Sequence, residues 1–420
     1  METTRTPTPS PRRPDLLLVV TLLAVLAFGL VMVNSASSVT AYQAHGTPTY
    51  YFVRQVIWAA LGLVGMLVLM RCDYHLLGRL AIPAHAVAIV LLALVLLPGV
   101  GHSVHGAQRW IALPGFQVQP SELIKLTMAL YISRWLANKG TQVTDLAYGF
   151  LPFLTLLGLV FGLIMLQPDM GTAMVVGIGA VSVFFAAGAS IPQLGLFFGA
   201  SSVAAILLIQ GAGYRMRRVT AFLNPWADPQ GTGYHTIQSL LALGSGGLTG
   251  VGLGVSRQKF LYLPFPHTDS IFAVIGEELG LAGTVSVLLL FLLLAWRGLL
   301  VAHRAPDLFG RLLAIGITST LVFQAFLNIG VVTSSVPFTG VTLPYFSYGG
   351  SSLLVSMASA GVLLSISRHT ALVDPAVQAR PSARAAAGDD GKAGVRARSR
   401  FGRRHRGAHL PGVGRPASSA

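Results

Sequence analysis

His267, Thr268 and Asp269 stand at the mouth of a long apolar run that begins at Ile271, with Glu277 and Glu278 two turns further in. A cap role explains Asp269 or Thr268 by itself, but it does not explain the whole group. Glu277 and Glu278 cannot both face an apolar solvent, so at least one must reach a hydrated or hydrogen-bonded interior. Polar and ionisable groups recur in three other clusters. In the first, Gly106-Ala107-Gln108-Arg109-Trp110 precedes Gln119-Pro120-Ser121-Glu122 and Lys125. Pro120 with Ser121 and Glu122 is a helix N-terminal signature, and Arg109 beside Trp110 suits either an interfacial anchor or an anion contact. Lys125 lies one turn inside an apolar helix, where its ammonium requires a carboxylate or a phosphate. The second, Gln167-Pro168-Asp169-Met170-Gly171-Thr172, breaks one apolar run and opens the next, with Asp169 as a cap or an ionic member of the site. The third is a long polar stretch carrying Arg215, Arg217 and Arg218, then Asn224-Pro225 and Asp228-Pro229, then a glycine run from Gly244 to Gly254. Those glycines permit tight turns that bring backbone amides to an anion, or a loop that packs on the bundle.

The elements that must position these groups are membrane helices. The 420 residues carry only 10% charged side chains and have a mean hydropathy of +0.67, which a water-soluble domain of this size could not cover with polar surface. Apolar runs begin near Leu16, Phe52, Leu80, Leu123, Phe150, Ala173, Leu194, Ile271, Leu312 and Leu353, which predicts an all-α polytopic fold of ten transmembrane helices. Leu123 to Leu136 and Ala173 to Ala187 are short, and either spans with polar flanks or enters and leaves on one side. The run from Leu16 follows Arg12 and Arg13 as in a signal peptide, but its length and the lack of a cleavage pattern predict a retained first helix. Arg5, Arg12, Arg13, Arg71, Arg79, Arg134, Lys139, Arg297, Arg304, Arg311 and the basic tail fall on one side, which the positive-inside rule makes cytoplasmic together with both termini.

The formal charge of +15 suits nucleic acid in a soluble protein, but eleven of the 29 Lys and Arg residues follow Ile366 and report topology instead. Cys72 is the single cysteine, so no intrachain disulfide staples an external loop. Residues 1–14 and 368–420 are rich in Pro, Ala, Gly, Ser and Arg and predict disorder on either side of a membrane domain spanning 15–367. The tail suits anionic lipid or a cytosolic partner. No Walker, Rossmann or zinc spacing is present, which argues against a nucleotide cofactor and ATP-driven transport. The stretch of about 211–269 is too long to lack structure, and Thr236 to Leu243 predicts a short surface helix within it.

Several segments together resemble a known family. Asn224-Pro225 with Asp228-Pro229, Gly233-Tyr234 with Gln238-Ser239, Gly244-Ser245-Gly246-Gly247, His267-Thr268-Asp269 and Gly276-Glu277-Glu278-Leu279-Gly280 occur in the order found in the SEDS family of FtsW, RodA and SpoVE. Asn328-Ile329-Gly330, Pro337-Phe338-Thr339-Gly340 and Leu343-Pro344-Tyr345-Phe346-Ser347-Tyr348-Gly349-Gly350 continue the match, and Gly254 to Lys259 looks closer to the FtsW branch. One departure is Phe265, where relatives carry Glu between two prolines.

The resemblance implies ten transmembrane helices, a large extracytoplasmic loop between helices 7 and 8, and a location in the cytoplasmic membrane at the division septum. It implies polymerisation of lipid II, with a class B penicillin-binding protein and other division-complex membrane proteins as partners and no nucleic acid. Asp269 matches the essential carboxylate, with Arg109, Lys125, Arg215, His267, Thr268, Glu277 and Ser347 as substrate-binding candidates. Forming a β-1,4 link requires a base for the acceptor hydroxyl and cations for the departing polyprenyl diphosphate, with Mg²⁺ or Mn²⁺ as a possible aid. Asp269 as a metal ligand is the competing role. A lipid II flippase, an elongation or sporulation polymerase, and a division scaffold are the alternatives. Polar residues gathered at one face favour surface chemistry over transport.

Overall fold

The computed structural model describes residues 13–104, 107–113 and 116–370, so most of the two segments with disorder-type composition lies outside the described residues. Among the described residues, twelve α-helices carry the fold. Short polar residues open many of them. Asp15 accepts from Leu18 N to start α1 (Leu16–His45), and Asp73 accepts from His75 N to start α3 (Tyr74–Leu94) after α2 (Tyr50–Arg71). Pro120 starts α4 (Pro120–Ala137), where a missing N–H costs nothing. A π-turn over Leu146–Phe150 leads into α5 (Leu151–Leu166), and Asp169 caps α6 (Met170–Ala186). Ser190 and Gln193 form a capping box on α7 (Ile191–Gln210). The remaining helices are α8 (Gly213–Leu223), α9 (Tyr234–Ser245), α10 (Ile271–His303), α11 (Leu308–Val332) and α12 (Gly350–Thr370).

Eight of these helices are long and apolar enough to cross a membrane: α1, α2, α3, α5 with its π-turn, α7, α10, α11 and α12. α4 and α6 complete ten spans with 18 and 17 residues, at the short end of what a bilayer core of about 30 Å accepts. Both run as unbroken helices against α11, and α4 also packs on α3. Small residues set the spacing, as expected where lipid removes the hydrophobic drive for helix association. A Cβ on Gly316 of α11 would stand 2.7 Å from Val183 Cγ2 of α6. By contrast α7 buries only Gln193.

Between α3 and α4 lies an antiparallel sheet, unforeseen in the sequence, of β1 (Gly101–Val104), β2 (Ala107–Leu113) and β3 (Phe116–Val118) in that order. The long excursion between α7 and α10 contains α8 and α9, and α9 fulfils the short-helix expectation with an extra turn. α10 breaks at Gly280, whose φ of 63° no other residue adopts cheaply. The break frees the carbonyls of Glu277 and Glu278, which accept from Val251 N and Gly252 N at 3.0 Å each. The glycine run therefore packs on the kink.

Both adjacent carboxylates are interior. Glu278 meets Lys259 Nζ at 2.8 Å and accepts from the Ser35 hydroxyl at 2.6 and 2.7 Å, with Lys259 2% exposed and Glu278 fully buried. Removing one partner of a buried pair strands the other, at a cost of about 3–5 kcal/mol, whereas replacing both by apolar groups is close to neutral. Lys259→Met and Glu278→Leu should each lower the melting temperature in detergent, and the double variant should recover most of the loss. Single variants that melt with the wild type would show that the pair does not hold the loop.

Candidate active site

The turn that carries Asp269 is built by its backbone. The Phe265 carbonyl accepts from Thr268 N at 3.1 Å, from Ser270 N at 3.3 Å and from the Thr268 hydroxyl at 3.3 Å, with Phe265 itself at a left-handed φ of 51°. The carbonyls of residues 267 to 269 are held by other elements. Tyr348 N donates to His267 O at 2.8 Å, Ser347 Oγ to Thr268 O at 2.7 Å, and Asn328 Nδ2 to Asp269 O at 2.8 Å. The Asp269 side chain thus leaves from a fixed base. It is half-buried, and among the described residues no hydrogen-bond donor meets its carboxylate. Gly340 runs beside it, so that a Cβ there would come 3.5 Å from Oδ2.

Two cations and a second carboxylate act on this group. Arg109, on β2, donates through Nε to Gln167 O at 2.9 Å and through Nη2 to Pro168 O, and its Nη1 lies 4.0 Å from Asp169 Oδ1. Asp169 is occupied: it accepts from Thr172 N at 3.2 Å, Thr172 Oγ1 at 3.0 Å and Gln119 Nε2 at 3.1 Å. Arg218, on α8, lies over the Phe338 ring with its guanidinium carbon 5.3 Å from the centroid and donates to Phe338 O at 3.4 Å. Desolvation is the largest influence on Asp269 and, with the charge of Asp169, pushes its pKa up to about 6 against the pull of Arg109 and Arg218. Burial lowers Arg218 from the ordinary guanidinium value, and the neighbouring Arg109 lowers it too, while Tyr214, Asp169 and Asp269 raise it. His267 is buried and stacks on Tyr51 at 4.7 Å; burial draws its pKa down to about 4, so it forms a neutral wall.

A half-buried carboxylate free to accept a proton, set among guanidinium groups, equips this end of the bundle for acid–base chemistry on an anionic substrate. The family model for the cell cycle proteins FtsW, RodA and SpoVE matches residues 15–372. The chain belongs to the FtsW, RodA and SpoVE family. It is 44% identical over 358 residues to stage V sporulation protein E of Bacillus subtilis, covering 85% of this chain and 98% of that protein. It is also 44% identical over 356 residues to the probable peptidoglycan glycosyltransferase FtsW of Trichlorobacter lovleyi, covering 84% and 93%. A chain in the solved structure of a peptidoglycan synthase complex that coordinates polymerization and crosslinking superposes with a TM-score of 0.70 at 34% identity, covering 86% of this chain and 99% of that one. The rod shape determining protein RodA of Thermus thermophilus superposes with a TM-score of 0.63 at 32% identity, covering 84% and 97%.

In this FtsW, RodA and SpoVE chain the structure separates the sequence candidates by position. Asp269 and Arg109 reach the site, with His267 and Thr268 in its framework. Lys125 does not: its Nζ lies 2.5 Å from Glu122 Oε2 and donates to Gln324 Oε1 at 2.8 Å, so its required partner is a carboxylate one turn away. Arg215 turns back to cap α7, donating to Leu208 O at 2.9 Å and to the Tyr214 hydroxyl at 2.9 Å; α8 brings Arg218 forward in its place. Glu277 is a buried strut that accepts from Arg257 N at 2.8 Å and from the Ser256 hydroxyl. Ser347 spends its proton on the Thr268 carbonyl, and Thr268 turns its hydroxyl to Phe265 O. Asn328 appeared in the sequence only as part of a motif, and its role needed the crossing of α11 with the turn. Among the described residues no group of three or more His, Cys, Asp or Glu gathers to hold a metal ion.

Proposed function

We propose that this chain is a peptidoglycan glycosyltransferase that polymerises lipid II, forming a β-1,4 link and releasing polyprenyl diphosphate. The observation that carries the reading is the Asp269 carboxylate, which accepts no hydrogen bond among the described residues and feels both Arg109 and Arg218. Asp269 takes the proton from the acceptor 4-hydroxyl as that oxygen attacks the anomeric carbon. Arg109 and Arg218 meet the diphosphate as its bond to that carbon breaks and its negative charge grows. Asp169 holds Arg109 in place while remaining tied to the α6 N-terminus. Should Mg²⁺ or Mn²⁺ accompany the diphosphate, Asp269 would hold it together with substrate oxygens, as hard cations bound by one or two carboxylates are held, and the ion would supply charge neutralisation.

The site lies at the start of α10, and Arg297 pairs with Asp15 near the other end of that helix. With Arg71, Arg134, Lys139 and Arg304 at the Asp15 end, we place that end in the cytoplasm and the site outside. Tags after Ala44 and near Gly231 should report extracytoplasmic, and tags at Lys139 and Ala420 cytoplasmic. A cytoplasmic report from Gly231 would remove the site from its substrate. A relative solved within a peptidoglycan synthase complex that coordinates polymerization and crosslinking supports a crosslinking partner, which we read as a class B penicillin-binding protein; other division-complex membrane proteins and a place at the division septum complete the proposal.

The deciding assay incubates purified protein and its partner transpeptidase with labelled lipid II in detergent. Glycan chains are expected. Detergent abolishes the two leaflets, so a flippase would leave lipid II unchanged, and that outcome would reject the polymerase reading.

A further inference from the structure

We infer that His235 is a positioning residue for Asp269, acting through the hydroxyl of Ser270. This rests on Asp269 being the reacting carboxylate. Ser270 follows it in the chain, is fully buried, and donates its one hydroxyl proton to Pro264 O at 2.8 Å. A hydroxyl that has given its proton elsewhere can only accept. His235 Nε2, 2.8 Å from Ser270 Oγ, must therefore carry the ring proton and donate it. Burial first, and then the charge of Arg218, draw the pKa of His235 down to about 4, so the ring is neutral and Nδ1 is bare at ordinary pH.

The placement gives this bond a purpose. The three anchors on the carbonyls of residues 267 to 269 come from Tyr348, Ser347 and Asn328, all on or beside α11 and α12. His235 arrives from α9, in the segment that also carries α8 and Arg218. Its ring rests on Phe338 with centroids 4.4 Å apart, and Phe338 is the ring under Arg218. His235 thus gauges the cation-bearing segment against the carboxylate-bearing turn. Losing its donor would leave both groups present but free to drift, which degrades the chemical step more than substrate capture.

Four variants measured in the detergent assay test this, with Asp269→Asn as reference and melting temperature recorded for each. His235→Phe keeps the contact with Phe338 and removes the donor; it should lower kcat by about 10-fold to 100-fold, the scale of a misplacement near 1 Å, with KM little changed. His235→Gln, whose amide nitrogen reaches the Nε2 position, should restore most of the rate, which a purely structural role of the imidazole would not predict. Ser270→Ala should lose at least as much as His235→Phe, since it also removes the hydroxyl bond to Pro264 O, and the double variant should lose no more than Ser270→Ala alone, because the bond that His235→Phe removes is already gone there. A folded His235→Phe with wild-type kcat, or losses that multiply in the double variant, would overturn the inference. If His235→Phe fails to accumulate, Ser270→Ala and His235→Gln carry the test: a wild-type rate in the first or a dead enzyme in the second rejects it. An active Asp269→Asn would instead indict the site assignment, independently of His235.

Discussion

Asp269→Asn should yield a protein that inserts, melts like the wild type and turns over lipid II about 10² to 10⁴ times more slowly, the usual cost of losing a general base. Folding should be spared because the residue supports its turn through its backbone: the carbonyl that Asn328 holds survives the change, and no donor depends on the carboxylate. Asn keeps the volume and removes the charge, so only a function of the charge is lost. The wild-type pH profile makes the same claim from another direction. A base must be deprotonated to act, so the rate should be low at acid pH and rise to a plateau through about pH 6, the value set by desolvation and Asp169 against the two arginines. Polymerisation by Asp269→Asn at the wild-type rate, or a wild-type profile flat from pH 4 to 8, would remove Asp269 from the chemistry.

Arg218→Ala should cost about 10² to 10³ fold in turnover, the range seen when one preorganised donor to developing negative charge is removed. Arg215→Ala, three residues earlier on the same helix, should stay near wild type, since its guanidinium is spent on the Leu208 carbonyl and the Tyr214 hydroxyl. Arg218→Lys keeps the charge but not the planar fork, and should recover part of the loss. There is a linked effect. Arg218 is one of two cations holding the Asp269 pKa down, so its removal should move the acid limb of the profile to higher pH. Equal losses in Arg215→Ala and Arg218→Ala, or an acid limb that does not move, would show that Arg218 is not the cation facing the carboxylate.

The membrane helices were legible because each is a run of apolar residues bounded by a polar cap, and the runs at Leu16, Ile271 and Leu353 open within a few residues of the observed helices. α4 and α6 were harder, since a span that packs against other helices need not be apolar all round, and α4 carries Glu122 and Lys125. The need for a partner at Lys125 followed from burial alone; the choice between a carboxylate and a phosphate depended on a helix face. Arg215 and Arg218 show the same limit more sharply. Their spacing says that both lie on one short helix, but which of them meets Asp269 depends on how α8 leaves α7, which no local pattern encodes. The sheet of residues 101–118 escaped notice because its strands are short and interrupted by glycines and Pro114. His235 carried no signal at all: it lies one residue before the stretch read as a surface helix, and its partner is 35 residues away.

The break at Gly280 divides α10 into unequal members. Leu281 N and Ala282 N donate across it to Gly247 and Leu248. The loop that follows α9 is therefore stitched to both members, to Glu277 and Glu278 of the short one and to Leu281 and Ala282 of the long one that runs on to His303. The glycine gap in the helix ladder is thus bridged from outside: the loop works as a splint across the joint, and a shift of the long member reaches the turn holding Asp269 through the splint as well as through the chain.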